Sequence, residues 1–145
     1  MSKEKRIGSR IFVVSMIVMI VGSIGIMSVS ANNHANTNFT YNWQYGPDST
    51  WNDATPVRAK TDTSSAMMAC TSGPNYNARV YGVNIKTGNY QDKSRGHVYA
   101  FTANSSTYML SWVYEDGWRY ASIVGVATTS NHTTPAKGFW SPDSI

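Results

Sequence analysis

Apolar and polar residues alternate along most of the chain after residue 38. An alternation with a period of two places successive side chains on opposite faces of a β-strand. Phe39, Tyr41 and Trp43 share one face of the first such segment, which ends at the turn residues 45–48. Further strands predicted from alternation and turn residues cover 57–61, 64–71, 78–85, 97–102, 107–114, 119–128 and 137–140.

The segment 107–114 carries the strongest aromatic stripe. One face is formed by Tyr108, Leu110, Trp112 and Tyr114. Met109 and Val113 add bulk to the opposite face, and bulk on both faces is typical of a central strand in a sheet. The pattern therefore predicts a central strand at 107–114, followed by a hairpin turn at Asp116-Gly117.

The composition after residue 31 agrees with β structure. Leu110 and Glu115 are the only leucine and the only glutamate in this part of the chain, so strong helix formers are scarce. Seven or eight short strands in about 110 residues predict an all-β fold, a small antiparallel β-sandwich. The polar residues 32–38 precede the first strand, and we expect disorder there.

The first 31 residues have the order of a secretory signal peptide. A basic start is followed by the apolar run 11–27, and small residues at 29–31 precede the polar Asn32. This order predicts an N-terminal signal helix (residues 1–31) that is cut after Ala31, and one secreted domain over residues 32–145. The alternative is an uncleaved leader that anchors the protein in a membrane, because the apolar run approaches the length of a bilayer span.

Charge excludes nucleic acid as a partner. The whole chain carries a formal charge of +4 and an isoelectric point near 9.3. Eight basic and seven acidic residues follow residue 31, which leaves +1 on the predicted secreted domain. These basic residues are scattered, whereas nucleic-acid binding needs clustered cations. Cys70 is the single cysteine, so no internal disulfide can form, and we expect it to be a buried apolar residue.

The chain carries no recognisable catalytic motif. The chain has no nucleophile elbow, no zinc-protease helix motif and no phosphate-binding loop. Two sets of carboxylates are candidates for a glycosidase pair: Asp48 and Asp53 near Trp43 and Trp51, and Glu115 and Asp116 near Trp112 and Trp118. Asp48 follows Gly-Pro and is a turn residue, and the Asp-Gly context of Glu115 and Asp116 indicates a solvated hairpin tip. We therefore predict no enzymatic activity and no cofactor.

Cleavage after Ala31 would create one chemically specific feature. The new chain would begin Asn32-Asn33-His34. Its α-amine, two deprotonated amides and the imidazole of His34 would offer four nitrogens in a square plane, the geometry of Cu(II) or Ni(II). The alternative is that His34 occupies the third position by chance.

Aromatic residues are the remaining signal. Seventeen of them follow residue 31, so in a leucine-poor domain most must form the core. A minority at the surface would stack on sugars or lie at a membrane interface. We predict Trp43, Tyr45 and Trp140 as binding residues, and we place Trp112 and Trp118 in the core.

The chain resembles two groups of small exported Gram-positive proteins. The leader followed by Asn32-Asn33-His34, the Ser/Thr/Tyr-rich body and the end at 138–144 resemble the family called domain of unknown function 2712. Residues 43–46, 83–84, 87–88 and 95–100 more distantly resemble lactococcin 972-like bacteriocins. That second resemblance implies a disulfide-free β-sandwich that acts on the cell envelope by engaging a lipid-linked wall precursor. Both imply dedicated transporter and immunity proteins as partners.

The function expected from these observations is that of a secreted bacteriocin-like protein, which acts non-covalently at the bacterial cell envelope. The alternative is a secreted, non-toxic interaction module that binds a cell-wall glycan or a protein partner. An enzyme is the weakest hypothesis, since it would need two carboxylates facing each other across an aromatic cleft.

Overall fold

Ten β-strands make up the regular structure of the described residues. The computed structural model describes residues 33–43, 52–128 and 133–144, so the predicted leader lies outside them. The strands are β1 (Thr37–Tyr41), β2 (Asn52–Ala54), β3 (Arg58–Ala59), β4 (Ala66–Ser72), β5 (Tyr76–Asn84), β6 (Asn89–Asp92), β7 (Tyr99–Phe101), β8 (Ser105–Met109), β9 (Tyr120–Ala127) and β10 (Ala136–Ser141). Within these ranges no helix is long and apolar enough to cross a membrane.

The strands form two antiparallel sheets. The first has four strands in the order β1-β10-β4-β8. The second contains the path β2-β9-β5-β6, with β3 added to β9 and β7 added to β5. Every pairing between these strands is antiparallel, which confirms the predicted all-β, antiparallel fold class.

The core lies between the two sheets and is rich in aromatic rings. Phe39 and Tyr41 of the first sheet point inward from alternate positions of β1, as the alternation predicts. The buried Tyr41 hydroxyl donates a hydrogen bond to the carbonyl of Ile123 in the second sheet, at 2.8 Å. Gly125 leaves room for the Tyr41 ring, since a Cβ there would lie 2.6 Å from it. An aromatic ring on one sheet and a missing side chain on the other therefore fix how the sheets pack.

Most predicted strands are present, but the prediction of a central strand at 107–114 is wrong in both the length of the strand and its position in the sheet. The strand β8 ends at Met109 and occupies an edge of the first sheet. Tyr108 is 66% exposed and Leu110 is 44% exposed, so the stripe does not line a core. The chain leaves the sheet after Met109, and the N–H of Trp112 donates to the carbonyl of Lys93 at 3.0 Å. This contact and the turn that follows end the strand early.

Two short strands were missed because their residues are polar. Neither β2 nor β6 contains an alternating apolar pattern, and the sequence assigns them to loops and turns. They add to the second sheet through backbone pairing with β9 and β5. Backbone hydrogen bonds do not depend on side-chain type, so such strands leave little trace in a hydrophobicity pattern.

The expectation of disorder over residues 32–38 is wrong for the described part, 33–38. Thr37 and Asn38 belong to β1 and pair with β10. The N–H of Asn33 donates to Asp143 Oδ2 at 2.8 Å, and its side-chain amide donates to the carbonyl of Ala59 at 2.9 Å. Polar residues are ordered here because the far end of the chain supplies their hydrogen-bond partners.

A buried ion pair holds these two ends of the domain together. Lys60 Nζ lies 2.6 Å from Asp143 Oδ1, and both side chains are 0% exposed. The other carboxylate oxygen accepts hydrogen bonds from the Thr61 hydroxyl at 2.6 Å and from the N–H of Asn33. Burial opposes ionisation of Asp143, but the donors from Lys60, Thr61 and Asn33 outweigh it and hold the pKa of this carboxyl below its usual range. We call this group the terminal clasp.

Candidate functional site

Two of the three predicted binding residues belong to the core. Trp43 is 6% exposed and Trp140 is 0% exposed. The Trp43 ring packs against Tyr41 and Tyr76, with centroid distances of 5.2 and 5.8 Å. Neither indole is available to an external ligand, so the prediction of a binding surface at Trp43 and Trp140 is corrected. Tyr45, the third residue of that set, lies outside the described residues.

The predicted copper or nickel site at Asn32, Asn33 and His34 conflicts with the terminal clasp. Such a site needs the backbone nitrogen of Asn33 without its proton. In the structure that N–H donates to the Asp143 carboxylate and to Thr61 Oγ1, so its proton is engaged in two contacts. His34 is exposed, and Asn32 lies outside the described residues. Metal binding there would have to replace the hydrogen bonds by which the Asn33 amide ties the two ends of the domain together, and the copper or nickel site stays a prediction.

A surface groove of about 510 Å³ lies at one end of the second sheet. One wall is the end of β5 with the turn after it, and the other is the segment that leads into β9. The lining residues are Val83, Asn84, Ile85, Lys86, Gly117, Trp118, Arg119 and Tyr120. This volume falls within the range of pockets that hold small ligands. We call it the hairpin groove.

The first wall is shaped by the turn between β5 and β6. The side-chain oxygen of Asn84 accepts hydrogen bonds from the N–H groups of Lys86 and Thr87, at 3.0 and 3.3 Å. Gly88 closes the turn by donating to the Asn84 carbonyl at 2.7 Å, and its φ of +74° suits glycine. An asparagine followed by a glycine four residues later therefore fixes the backbone that carries Ile85 and Lys86.

The second wall follows a single helical turn. The N–H of Trp118 donates to the Val113 carbonyl at 2.9 Å, and the N–H of Gly117 donates to the Tyr114 carbonyl at 3.0 Å. With Gly117 at a φ of +83°, this is the pattern of a Schellman motif at a helix end. The predicted turn at Asp116-Gly117 is thus present, but it ends a helical turn and does not join two strands of a hairpin.

The side chain of Trp118 is fixed where the second wall meets the sheet. Its indole covers Gly82 of β5, at which a Cβ would lie 2.9 Å from the ring. Lys93 Nζ lies 5.3 Å from the ring centroid, within the range of a cation–π contact. Trp118 is half-buried. It packs against the core, as predicted, and it also lines the groove.

Two cations line the groove, and both lack a carboxylate partner within the described ranges. Arg119 lies over the Tyr114 ring, 4.6 Å from its centroid, and donates to the Trp118 carbonyl at 3.0 Å. These contacts use one of its terminal nitrogens and hold the guanidinium in place. Lys86 is exposed, and its side chain has no ion pair with any described residue.

Two other basic side chains nearby share one aspartate. Asp116 Oδ2 lies 3.1 Å from Lys93 Nζ, and Asp116 Oδ1 lies 3.3 Å from Arg95. The hydrogen bond from Lys93, with the charges of Lys93 and Arg95, holds the pKa of the Asp116 carboxyl below its usual range. Arg95 also lies 4.7 Å from the Trp112 ring. The charge of Asp116 is therefore compensated locally and does not oppose an anion in the groove.

The lining of the groove suits the reversible binding of an anion. It contains an arginine, a lysine and an amide as polar groups, and its remaining side chains are apolar or aromatic. Arginine and lysine form charge-assisted hydrogen bonds with phosphate and carboxylate oxygens. Of the carboxylates considered for catalysis, Glu115 and Asp116 lie on the exposed turn before the groove. In the described parts of the chain, no group of three or more His, Cys, Asp or Glu side chains could hold a metal ion.

Comparison with known proteins identifies a family. Residues 27–144 match the family model described as protein of unknown function (DUF2712). The chain belongs to this family. The match spans β1 to β10, so the walls of the hairpin groove and both sides of the terminal clasp lie within the DUF2712 region. No curated protein and no solved structure matches the chain at a significant level.

Sequence reasoning missed the groove although it identified the turns that form it. Lys86-Thr87-Gly88-Asn89 and Asp116-Gly117 are visible as turns, and both border the site. The pattern of apolar and polar residues does not show that these two turns lie at the same end of one sheet. The pairing of Gly82 with Ala121 brings them together across 39 residues of sequence.

Proposed function

We propose that this DUF2712 protein is secreted and acts as a bacteriocin-like protein, binding non-covalently at the envelope of other bacteria. The observation that carries the proposal is the hairpin groove, with Lys86 and Arg119 facing a ligand-sized volume and no carboxylate in its lining. Bacterial envelopes are rich in phosphate and carboxylate groups, which pair with such cations.

Two features of the sequence support this proposal. The leader predicts export, and export places the domain where it can meet other cells. The motifs at 83–84 and 87–88, which resemble lactococcin 972-like bacteriocins, lie in or beside the first wall of the groove. A lipid-linked wall precursor carries phosphate groups, so it is one envelope component whose chemistry fits the site.

The second candidate is a secreted interaction module without toxicity. The edge strand β8 favours it, because its outer edge lies free of other strands of the described sheet and Tyr108 is exposed beside it. A free strand edge can receive a strand from a protein partner through backbone hydrogen bonds. The same protein would then bind a wall protein or glycan without killing.

One experiment separates the two candidates. The full chain is expressed with its leader, the product is purified, and its mass is measured to locate the cleavage site. Cosedimentation with Gram-positive cells then measures binding, and growth of the same cells measures killing. Binding with growth inhibition supports the bacteriocin-like proposal, and binding without inhibition supports the non-toxic module. A protein that neither binds cells nor inhibits growth overturns both.

A further inference from the structure

We propose that the hairpin groove binds the phosphate of an anionic lipid headgroup, with the β5–β6 turn inserted at the membrane surface. The proposal rests on the envelope-binding function above, and it names the chemical class of ligand for the same site. Three features of the domain support it: the unpaired cations, the apolar residues at the rim, and the low net charge.

The two cations lie on opposite walls of the groove. The Tyr114 ring and the Trp118 carbonyl hold the Arg119 guanidinium, which leaves further N–H donors for a ligand. The Asx turn at Asn84 fixes the backbone of Lys86 on the opposite wall. Lys60 and Arg79 each face an aspartate, and Lys93 and Arg95 share Asp116, whereas Lys86 and Arg119 face the groove. A phosphate between the two walls would give this pair its missing counter-charge.

The rim of the groove exposes apolar side chains beside these cations. Ile85 is 55% exposed and adjoins Lys86 in the same turn. Tyr90 is 44% exposed, and it lies opposite Val83 of the groove wall in the β5–β6 ladder. A side chain opposite another in an antiparallel pair shares its face of the sheet. The β5–β6 hairpin thus exposes an aliphatic side chain beside the lysine in its turn and a phenolic side chain on β6, a combination suited to the boundary between headgroups and acyl chains.

The low net charge of the domain indicates that any binding to an anionic surface occurs at a local site. Residues 32–145 carry a formal charge of +1, so long-range attraction to an anionic surface is weak. Binding to such a surface must then depend on a few placed cations and on apolar contact. A soluble phosphate would occupy the cations alone, while a lipid headgroup also buries Ile85 and Tyr90, and this argues for the lipid as the source of the phosphate.

The test uses the purified product of the full chain and two kinds of vesicle. One kind contains phosphatidylcholine alone, and the other contains phosphatidylcholine mixed with phosphatidylglycerol. Cosedimentation measures binding, with glycerol phosphate added in a separate arm as a soluble competitor. The variants are K86Q/R119Q for the cations and I85S for the apolar rim. K137Q is the matched control, since Lys137 is an exposed lysine on β10 of the other sheet.

The expected result is binding to the mixed vesicles only. The double variant K86Q/R119Q should bind on the order of thirtyfold more weakly, as expected for two cations near an anionic surface. I85S should weaken binding by about tenfold through lost apolar contact. K137Q should stay within about twofold of the unchanged protein, because it adds only to the weak long-range field.

Three outcomes would overturn the proposal. They are equal binding to both vesicle types, an unchanged affinity in K86Q/R119Q, and displacement by glycerol phosphate at the phosphate concentration of the vesicles. Binding to whole cells in the absence of vesicle binding would reject the lipid headgroup while leaving the envelope-binding function intact. Absence of binding to both would reject the two together.

Discussion

The terminal clasp and the hairpin groove place lysines in opposite situations. Lys60 lies in the interior with Asp143 at 2.6 Å, and Thr61 and Asn33 complete the hydrogen bonding of that carboxylate. Lys86 lies at the surface with no ion-pair partner among the described residues. A buried charge without a partner is strongly destabilising, whereas an exposed one is tolerated because water solvates it. The first lysine is therefore tied to folding, and the second is free to meet a ligand.

The largest expected effect is on the clasp. Replacing Lys60 with Met should leave the Asp143 carboxylate buried without its cation and lower the free energy of unfolding by about 3–5 kcal/mol. Urea unfolding of the purified protein measures this change. The control K60M/D143N should be more stable than K60M, because no uncompensated charge remains. A loss in K60M below about 1 kcal/mol would show that the clasp does not stabilise the domain.

The second largest effect should be a loss of stability at acid pH, caused by protonation of Asp143 in the clasp. The pKa of Asp143 is lower in the folded protein than in the unfolded chain, so its contribution to stability is complete above the unfolded pKa of about 3.9. That contribution is lost as the pH falls through the lower folded value. Thermal unfolding should therefore show a falling midpoint below about pH 4. The decline should be shallower in D143N, and equal slopes in the two proteins would contradict the assignment to Asp143.

Removing the groove cations should change stability little. K86Q/R119Q deletes two exposed charges and the contact of Arg119 with Tyr114, which together should cost about 1 kcal/mol or less. Urea unfolding measures this value, and binding to whole Gram-positive cells is measured on the same samples. We expect K86Q/R119Q to bind cells more weakly and to keep its fold. A loss of stability as large as that of K60M would show that these cations serve the fold.

The smallest change in stability is expected for a substitution that adds a negative charge to the lining of the groove. Asn84→Asp keeps an oxygen acceptor for the N–H groups of Lys86 and Thr87, so stability should stay within about 0.5 kcal/mol. The new carboxylate would supply Lys86 and Arg119 with an internal counter-charge. Cell binding measured by cosedimentation should therefore fall, and Asn84→Ser serves as the uncharged control. Equal binding by the two variants would contradict an anionic ligand.

Much of the fold was predictable because the signals are local. The alternation of Phe39 and Tyr41 identifies β1, and Asn84 with Gly88 identifies the turn after β5. The position of β8 was not predictable in the same way. Its alternation continues past Met109, but backbone contacts with Lys93 and a Schellman turn end the strand there. An alternating pattern shows that a strand is possible, and pairing with another strand decides whether it forms.

The candidate site was less predictable than the fold. Trp43 and Trp140 share their residue type with Trp118, and nothing local shows that the first two are buried while the third borders a groove. The local sequence also does not show which lysine is buried, since Lys60 and Lys86 both follow short segments of mixed polar and apolar residues. Exposure depends on which sheets pack together, and that arrangement is set by contacts between distant residues.

For the described residues, the sequence by itself determined the all-β class, most of the strands, the turns and the scarcity of helix. These follow from side-chain periodicity and turn chemistry, which act over a few neighbouring residues. Only the tertiary structure decided which aromatic rings form the core, that residues 33 and 143 meet, and which of the described cations lack a carboxylate partner. Lys60 and Asp143 are 83 residues apart in the chain and 2.6 Å apart in space. Burial and charge pairing are properties of such long-range contacts, so they appear only once the sheets have assembled.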